Sequence, residues 1–168
     1  MQLLRKISVA KWKASLKVGD DYLSADAITG CLRTTGNTLS VWRFSTDDEA
    51  RKSLLALGSS LTKIETISYI TLTLSDLEED ALRLVDNEGK TAAVASNILH
   101  RDIVDLDHAG LAKVAFHVKR KVQSDDFKTL SKGELKKMLI EGIKSGDIDE
   151  GLLDQKLLKE LQKSPPTP

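Results

Sequence analysis

Three consecutive runs decide the fold: Thr38–Ser45, TLSVWRFS; Thr46–Leu61, TDDEARKSLLALGSSL; and Ile64–Leu74, IETISYITLTL. The first is rich in β-branched and aromatic residues and has no Pro or Gly, which predicts a strand. Leu39 and Val41 fall on one of its sides and Trp42 and Phe44 on the other, so both faces are expected to be partly buried. Thr46 or Asp47 can accept from the free N–H groups of a helix start, and Glu49 completes a capping-box pattern with Thr46. The acids Asp47, Asp48 and Glu49 suit the positive end of that helix. Ala50, Leu54, Leu57 and Leu61 recur at spacings of three and four as one apolar stripe, and Gly58 is the expected C-cap. Period two then returns, with Ile70, Leu72 and Leu74 on one face and Tyr69, Thr71 and Thr73 on the other. The unit is strand–helix–strand, with its two strands either adjacent or split by a third. No Gly-rich phosphate loop joins the first strand to the helix.

The surrounding chain has 168 residues, enough for one domain with an appendage. Its 25 Lys and Arg balance 25 Asp and Glu, and zero net charge argues against a dedicated nucleic-acid binder. A single cysteine, Cys31, excludes an intrachain disulfide and any cluster of thiolate metal ligands. The ordinary reading of Cys31 is a small buried hydrophobe; the other is a free reactive thiol. No apolar run reaches the roughly 18 residues of a membrane span, and the N-terminus lacks the features of a secretory signal, so a cytoplasmic protein is expected.

Before the deciding runs, Ile7, Val9 and Lys11 alternate with Ser8, Ala10 and Trp12, which predicts a strand. Arg5, Lys6, Lys11, Lys13 and Lys17 precede the first acid, Asp20. They read either as a basic patch for an acidic partner or nucleic acid, or as the solvated face of an edge strand that lysines protect from pairing. Residues 19–37 are rich in turn residues, with a short helical turn expected from Ser24. After Leu74, Ser75 is the expected cap of a helix, and Asp86-Asn87-Glu88-Gly89 is a turn signal. His100–Leu106, HRDIVDL, reads as a short internal strand. Asp107 then caps a helix from His108 to about Val122, and Lys119, Arg120 and Lys121 read either as solvated complements to its last-turn dipole or as an anion-binding group. Residues 123–129 read as a linker.

A C-terminal helical extension over 130–163 follows the 1–123 core, and 164–168 reads as a disordered tail. Ser131 caps its first helix with Glu134 three residues on, and Gly146 ends it. A final helix is expected from Asp149 to Gln162. Leu135, Met138, Leu139, Leu153 and Leu157 form the apolar stripe of this pair. They either pack on the core or serve as an arm for self-association or partner capture, because isolated helices of this length are marginal in water.

Chemistry-bearing residues concentrate at His100, Asp102, Asp105, Asp107 and His108. His100 and Asp102 share one face of the strand, and imidazole with carboxylate can hold a divalent metal and activate water. Charged residues also commonly flank strands, and Asp107 is explained as a cap. His100-Arg101-Asp102 matches the opening of the kinase catalytic loop, but no Asn follows at the required spacing and no Gly-rich loop is present. No nucleophile elbow and no zinc His pair at i, i+4 occurs.

Phe127–Leu139, FKTLSKGELKKML, resembles the end of the first calcium loop and the following helix of the S-100 proteins. That resemblance implies a bidentate calcium ligand at Glu134. It covers a small part of the chain; the second, standard calcium loop is missing, and that family is all-helical. The fold expected is therefore α/β or α+β, a small mixed sheet of four to five strands with packed helices and a two-helix C-terminal extension. The function expected is a non-enzymatic protein–protein interaction or regulatory, immunity-type protein, binding a protein partner or itself, with no cofactor and no resident metal. The alternative is a metal-assisted hydrolase or transferase around His100–His108.

Overall fold

The computed structural model describes residues 1–163, so the tail reading of 164–168 lies outside the described residues. The chain runs β1 (Gln2–Ile7), α1 (Val9–Val18), α2 (Ala25–Cys31), β2 (Leu39–Phe44), α3 (Asp47–Ser59), β3 (Ile67–Thr73), α4 (Leu74–Glu79) and β4 (Arg83–Asp86). A 3₁₀ turn at Val94–Leu99 precedes β5 (His100–Val104), α5 (His108–Gln123), β6 (Lys128–Leu130) and α6 (Lys132–Ser145). A second 3₁₀ turn at Glu150–Leu152 leads to α7 (Gln155–Gln162).

The fold is mixed α/β, one six-stranded sheet in the order β4-β5-β2-β1-β3-β6 with helices packed on it. Every pairing is antiparallel. The unit β2–α3–β3 is the split form, with β1 inserted between its strands: Leu4 pairs with Trp42 on one side and Thr71 on the other. The strand count exceeds the expectation through short edge pieces. β6 lies in the stretch read as a linker, and its three residues, paired with Ile67–Tyr69, are too few to carry a period-two pattern.

Several local readings change for identifiable reasons. The strand expected over Ile7–Trp12 lies before that stretch, at Gln2–Ile7, and residues 9–18 are helical, with Trp12 and Ser15, three apart, on the buried face. β1 is an interior strand, but Arg5 and Lys6 lie past its last pair with β2, Leu4–Trp42, where it is bonded to β3 alone. The cap of α4 is Thr73, not Ser75; Thr73 and Asp76 satisfy each other's backbone N–H in a capping box. Thr46 accepts from Glu49 N at the start of α3 as expected, while the Glu49 carboxylate reaches past it to Ser45 N. Gly58 lies inside α3 rather than at its cap, and a Cβ there would stand 2.7 Å from Leu135 Cδ1. Gly142 in α6 is its counterpart, where a Cβ would stand 2.9 Å from Leu55 and from Ile148. The two glycines let α3 and α6 approach closely. Gly146, at φ 80°, ends α6 as expected.

The sheet separates two apolar layers. One face carries Leu3, Leu39, Val41, Leu72 and Ile103 under α1, α2 and α5, centred on the fully buried Trp12. Lys119 belongs to this layer and is not a solvated last-turn cation. It is 2 % exposed, and its Nζ donates to the carbonyls of Gly19, Asp20 and Tyr22. The other face carries Leu4, Trp42 and Ile67 under α3, α6 and α7. Leu135, Met138, Leu139, Leu153 and Leu157 are all buried in this second layer, so the C-terminal helices pack on the sheet instead of standing off it. The expected last helix is broken at Leu153, and Asp154 caps α7 by accepting from Lys156 N and Leu157 N. Among the described residues, no helix is long and apolar enough to cross a membrane.

Candidate cleft on the open sheet face

Alternation along β5 sends Ile103 into the first layer and His100 and Asp102 to the second face. The register places His100 beside Trp42 and Asp102 beside Ser40. Trp42 and His100 meet edge to face, with ring centroids 4.9 Å apart. One row further along, α3 has ended, and the polar row Lys6, Ser40, Asp102 is left outside the helical cover. Ser40 is exposed although β2 is an interior strand. A cleft of about 410 Å³ opens there, between Ser40, Trp42 and His100 below, Leu57 and Ser60 at the end of α3, and the 87–91 loop.

The floor is tied together by its own hydrogen bonds. Ser40 Oγ donates to Asp102 Oδ1 at 3.3 Å, and Asn87 Nδ2 donates to Asp102 Oδ2. His100 Nδ1 lies 2.6 Å from the Asn87 carbonyl oxygen. A carbonyl only accepts, so Nδ1 carries the proton and a neutral His100 keeps Nε2 as an acceptor. His100 Nε2 stands 3.9 Å from Asp102 Oδ1, beyond hydrogen-bonding reach. The loop above is fixed as firmly. The buried Asn97 side chain accepts from Thr91 N and Thr91 Oγ1 and donates to the Thr91 carbonyl, while Gly89 N donates to the Asn97 carbonyl. A Cβ on Gly89 would stand 2.8 Å from Trp42 Cη2, so only glycine lets this loop lie on the indole.

Two cations of β1 border the cleft. Lys6 Nζ donates to Glu65 Oε1 at 2.6 Å, and this bond holds the Glu65 carboxyl below the usual carboxylate range against the opposing effect of burial. Arg5 donates to the carbonyls of Ser40 at 2.6 Å and Cys31 at 3.1 Å. Burial pushes the Arg5 guanidinium below its ordinary value, with Cys31 opposing. Its Nε is buried without a partner among the described residues. Arg5, Lys6 and Leu57 also border a second cleft of about 420 Å³, shared with Ser8, Cys31 and Arg33. The Cys31 thiol accepts from Ser8 N at 3.3 Å and is buried, in keeping with the small-hydrophobe reading.

Only His100 and Asp102 of the five chemistry candidates come together here. Asp105 has φ 56° and pairs with Arg83 at the far end of β5. Asp107 caps α5 by accepting from Gly110 N at 2.7 Å, and His108 is exposed in the first turn of α5. Among the described residues, no three His, Cys, Asp or Glu side chains stand close enough to hold a metal ion. Glu134 accepts from Ser131 N and Ser131 Oγ at 2.8 and 2.6 Å, a reciprocal capping box that also holds its carboxyl below the ordinary range. Ser40, Asn87 and Asn97 carry no sequence signal for this site; each acquires its role through pairing register or loop closure. Compared with known proteins, the chain matches no family model, no curated protein and no solved structure.

Proposed function

We propose that this chain is a non-enzymatic binding protein of the regulatory, immunity type, which meets a protein partner at the cleft over Ser40 and His100. The direction of the hydrogen bonds in the cleft floor carries this reading. In a Ser-His-Asp triad the serine hydroxyl proton is aimed at an imidazole that a carboxylate orients. Here Ser40 donates to the carboxylate itself, and the imidazole proton goes to the Asn87 carbonyl. The four groups act as a brace that holds a loop and a strand row in place under an open recess. The test pairs two measurements. Ester, phosphate-ester and phosphodiester substrates, supplied with magnesium, manganese or zinc, should give no turnover that Ser40→Ala or His100→Ala removes. Affinity capture from the native cell should return one stoichiometric partner, reduced by Ser60→Trp, which fills the mouth of the cleft. Turnover lost in either alanine variant would overturn the proposal in favour of a hydrolase or transferase.

A further inference from the structure

We infer that the partner is recognised through an extended acidic segment, laid along a cationic groove that joins the two clefts on either side of Arg5 and Lys6. This rests on reading the first cleft as the contact site and adds the chemistry of what enters it. The two clefts share Arg5, Lys6 and Leu57, so they form neighbouring lobes of one depression with β1 as the saddle. Lys90 stands on the wall of the first lobe and Arg33 on the wall of the second. Lys11 adds a fifth cation at the far end: its Nζ lies 1.9 Å from where a Cβ on Gly30 would stand, and Gly30 lines the second lobe.

Lys11, Arg33 and Lys90 are exposed and have no side-chain hydrogen bond or ion pair among the described residues. The basic N-terminal run therefore has a structural destination. Its Arg5 and Lys6 lie where β1 has run past its pairing with β2, and Lys11 on α1 reaches the second lobe beyond the end of that strand. Arg5 is itself braced by two backbone carbonyls, so one charge of the groove is already fixed in position before anything binds. Pre-positioned donors of this kind favour carboxylate recognition because little side-chain freedom remains to be lost.

Two acids interrupt the groove. Glu65 sits against Lys6 in the second lobe and Glu88 lines the first. A continuous phosphate backbone would have to pass both. A polypeptide can place its carboxylates opposite Lys90, Arg33 and Lys11 and set neutral residues opposite the acids. The volumes of the lobes suit side chains, and Leu57 and Trp42 offer apolar contact between the charges. The favoured ligand is thus an acidic peptide with alternating carboxylate and neutral or apolar positions.

Fluorescence anisotropy decides this with three labelled probes on the full chain: an Asp/Leu-alternating nonapeptide, its Asn/Leu counterpart, and a single-stranded oligonucleotide of equal charge. The acidic peptide should bind, and the Asn peptide should bind at least tenfold more weakly. Arg33→Glu and Lys90→Glu, both at exposed positions that leave the core untouched, should each weaken the acidic peptide about tenfold, and together more. Raising salt from 50 to 300 mM should weaken it severalfold. Equal or tighter binding of the oligonucleotide overturns the inference in favour of nucleic acid. Acidic-peptide binding that is absent, or unchanged in the double variant, overturns it outright. If the captured cellular partner survives the double charge reversal, this inference fails while the regulatory-binding reading stands; if the wild-type chain captures no partner at all, that reading fails.

Discussion

The two faces of the sheet are covered to different extents, although both are built from the same kinds of residues. On the first face α1, α2 and α5 close over Trp12, Leu72 and Ile103, and the one buried cation, Lys119, is consumed by three backbone carbonyls. On the second face α3, α6 and α7 seal Leu4 and Ile67, and α3 then stops before the row of Lys6, Ser40 and Asp102. Lys119 inside the closed face serves the backbone alone. On the open face Ser40 and Asn87 serve the Asp102 carboxylate, His100 and Asn97 tie down the loop backbone, and Ser40 stays exposed. A recess suited to binding arises where a helical layer ends short of its sheet, and no special motif is needed to make one.

If both faces are true cores, Trp12→Ala on one and Leu139→Ala on the other should each cost about 2–5 kcal/mol in chemical unfolding. A near-neutral Leu139→Ala would return the C-terminal helices to the status of an arm. The next effect tests how tightly the second layer is built. Gly142→Ala forces a methyl against Leu55 and Ile148 and should lose about 1–3 kcal/mol, where an ordinary helical Gly→Ala change gains stability. On the closed face, Lys119→Met keeps the stem and removes the donors to Gly19, Asp20 and Tyr22. A loss of about 1–3 kcal/mol is expected, with faster amide exchange around residues 19–22. On the open face, Ser40→Ala should cost less than about 1 kcal/mol, since its hydroxyl is exposed and its bond to Asp102 is long. A larger loss would mean that the cleft floor is structural in the same sense as the closed face.

The smallest effect is a pH dependence. The folded-state Glu65 carboxyl titrates below its unfolded value because Lys6 bonds it, so its contribution is present above the unfolded carboxylate range and disappears as pH falls through the folded value. Thermal midpoints of the wild type and Lys6→Met should therefore differ slightly near neutrality and converge as the pH drops below about 4. Divergence on acidification would reverse the sign and remove the ion pair as its cause.

Much of the fold was legible where one period persisted long enough. β2, β3, β5 and α5 follow their hydrophobic spacing, whereas the stripe read on α3 stays half-buried and its buried face is Ser53, Leu55, Ala56, Gly58 and Ser59; the cap at Thr46 and the capping box at Ser131 mark helix starts to the residue. Short elements were not legible, because the four residues of β4 and the three of β6 carry no period and owe their conformation to the strand beside them. Gly58 misled because a glycine needed for close helix packing looks, in sequence, like one needed for a left-handed cap. The stripe from Leu135 to Leu157 is equally apolar whether it meets a partner or its own sheet, so spacing alone could not choose. For the site, His100 and Asp102 could be paired from alternation along one strand. Ser40 joins them only through β2–β5 register, and Asn87 through a loop, neither of which a single chain reveals.

The place of β1 bears on how the chain folds. β1 is made before both of its partners yet lies between them in the sheet, and neither neighbour exists until β2 and β3 have followed. At about 5–20 residues per second on the ribosome, Leu3, Leu4 and Ile7 wait several seconds without a pairing partner. Closure of the sheet depends on contacts distant in sequence, which places this fold among the slower ones for its size. During that interval Arg5 and Lys6, which interrupt the apolar run between Leu4 and Ile7, act as gatekeepers, keeping an unpaired apolar strand from joining another nascent chain.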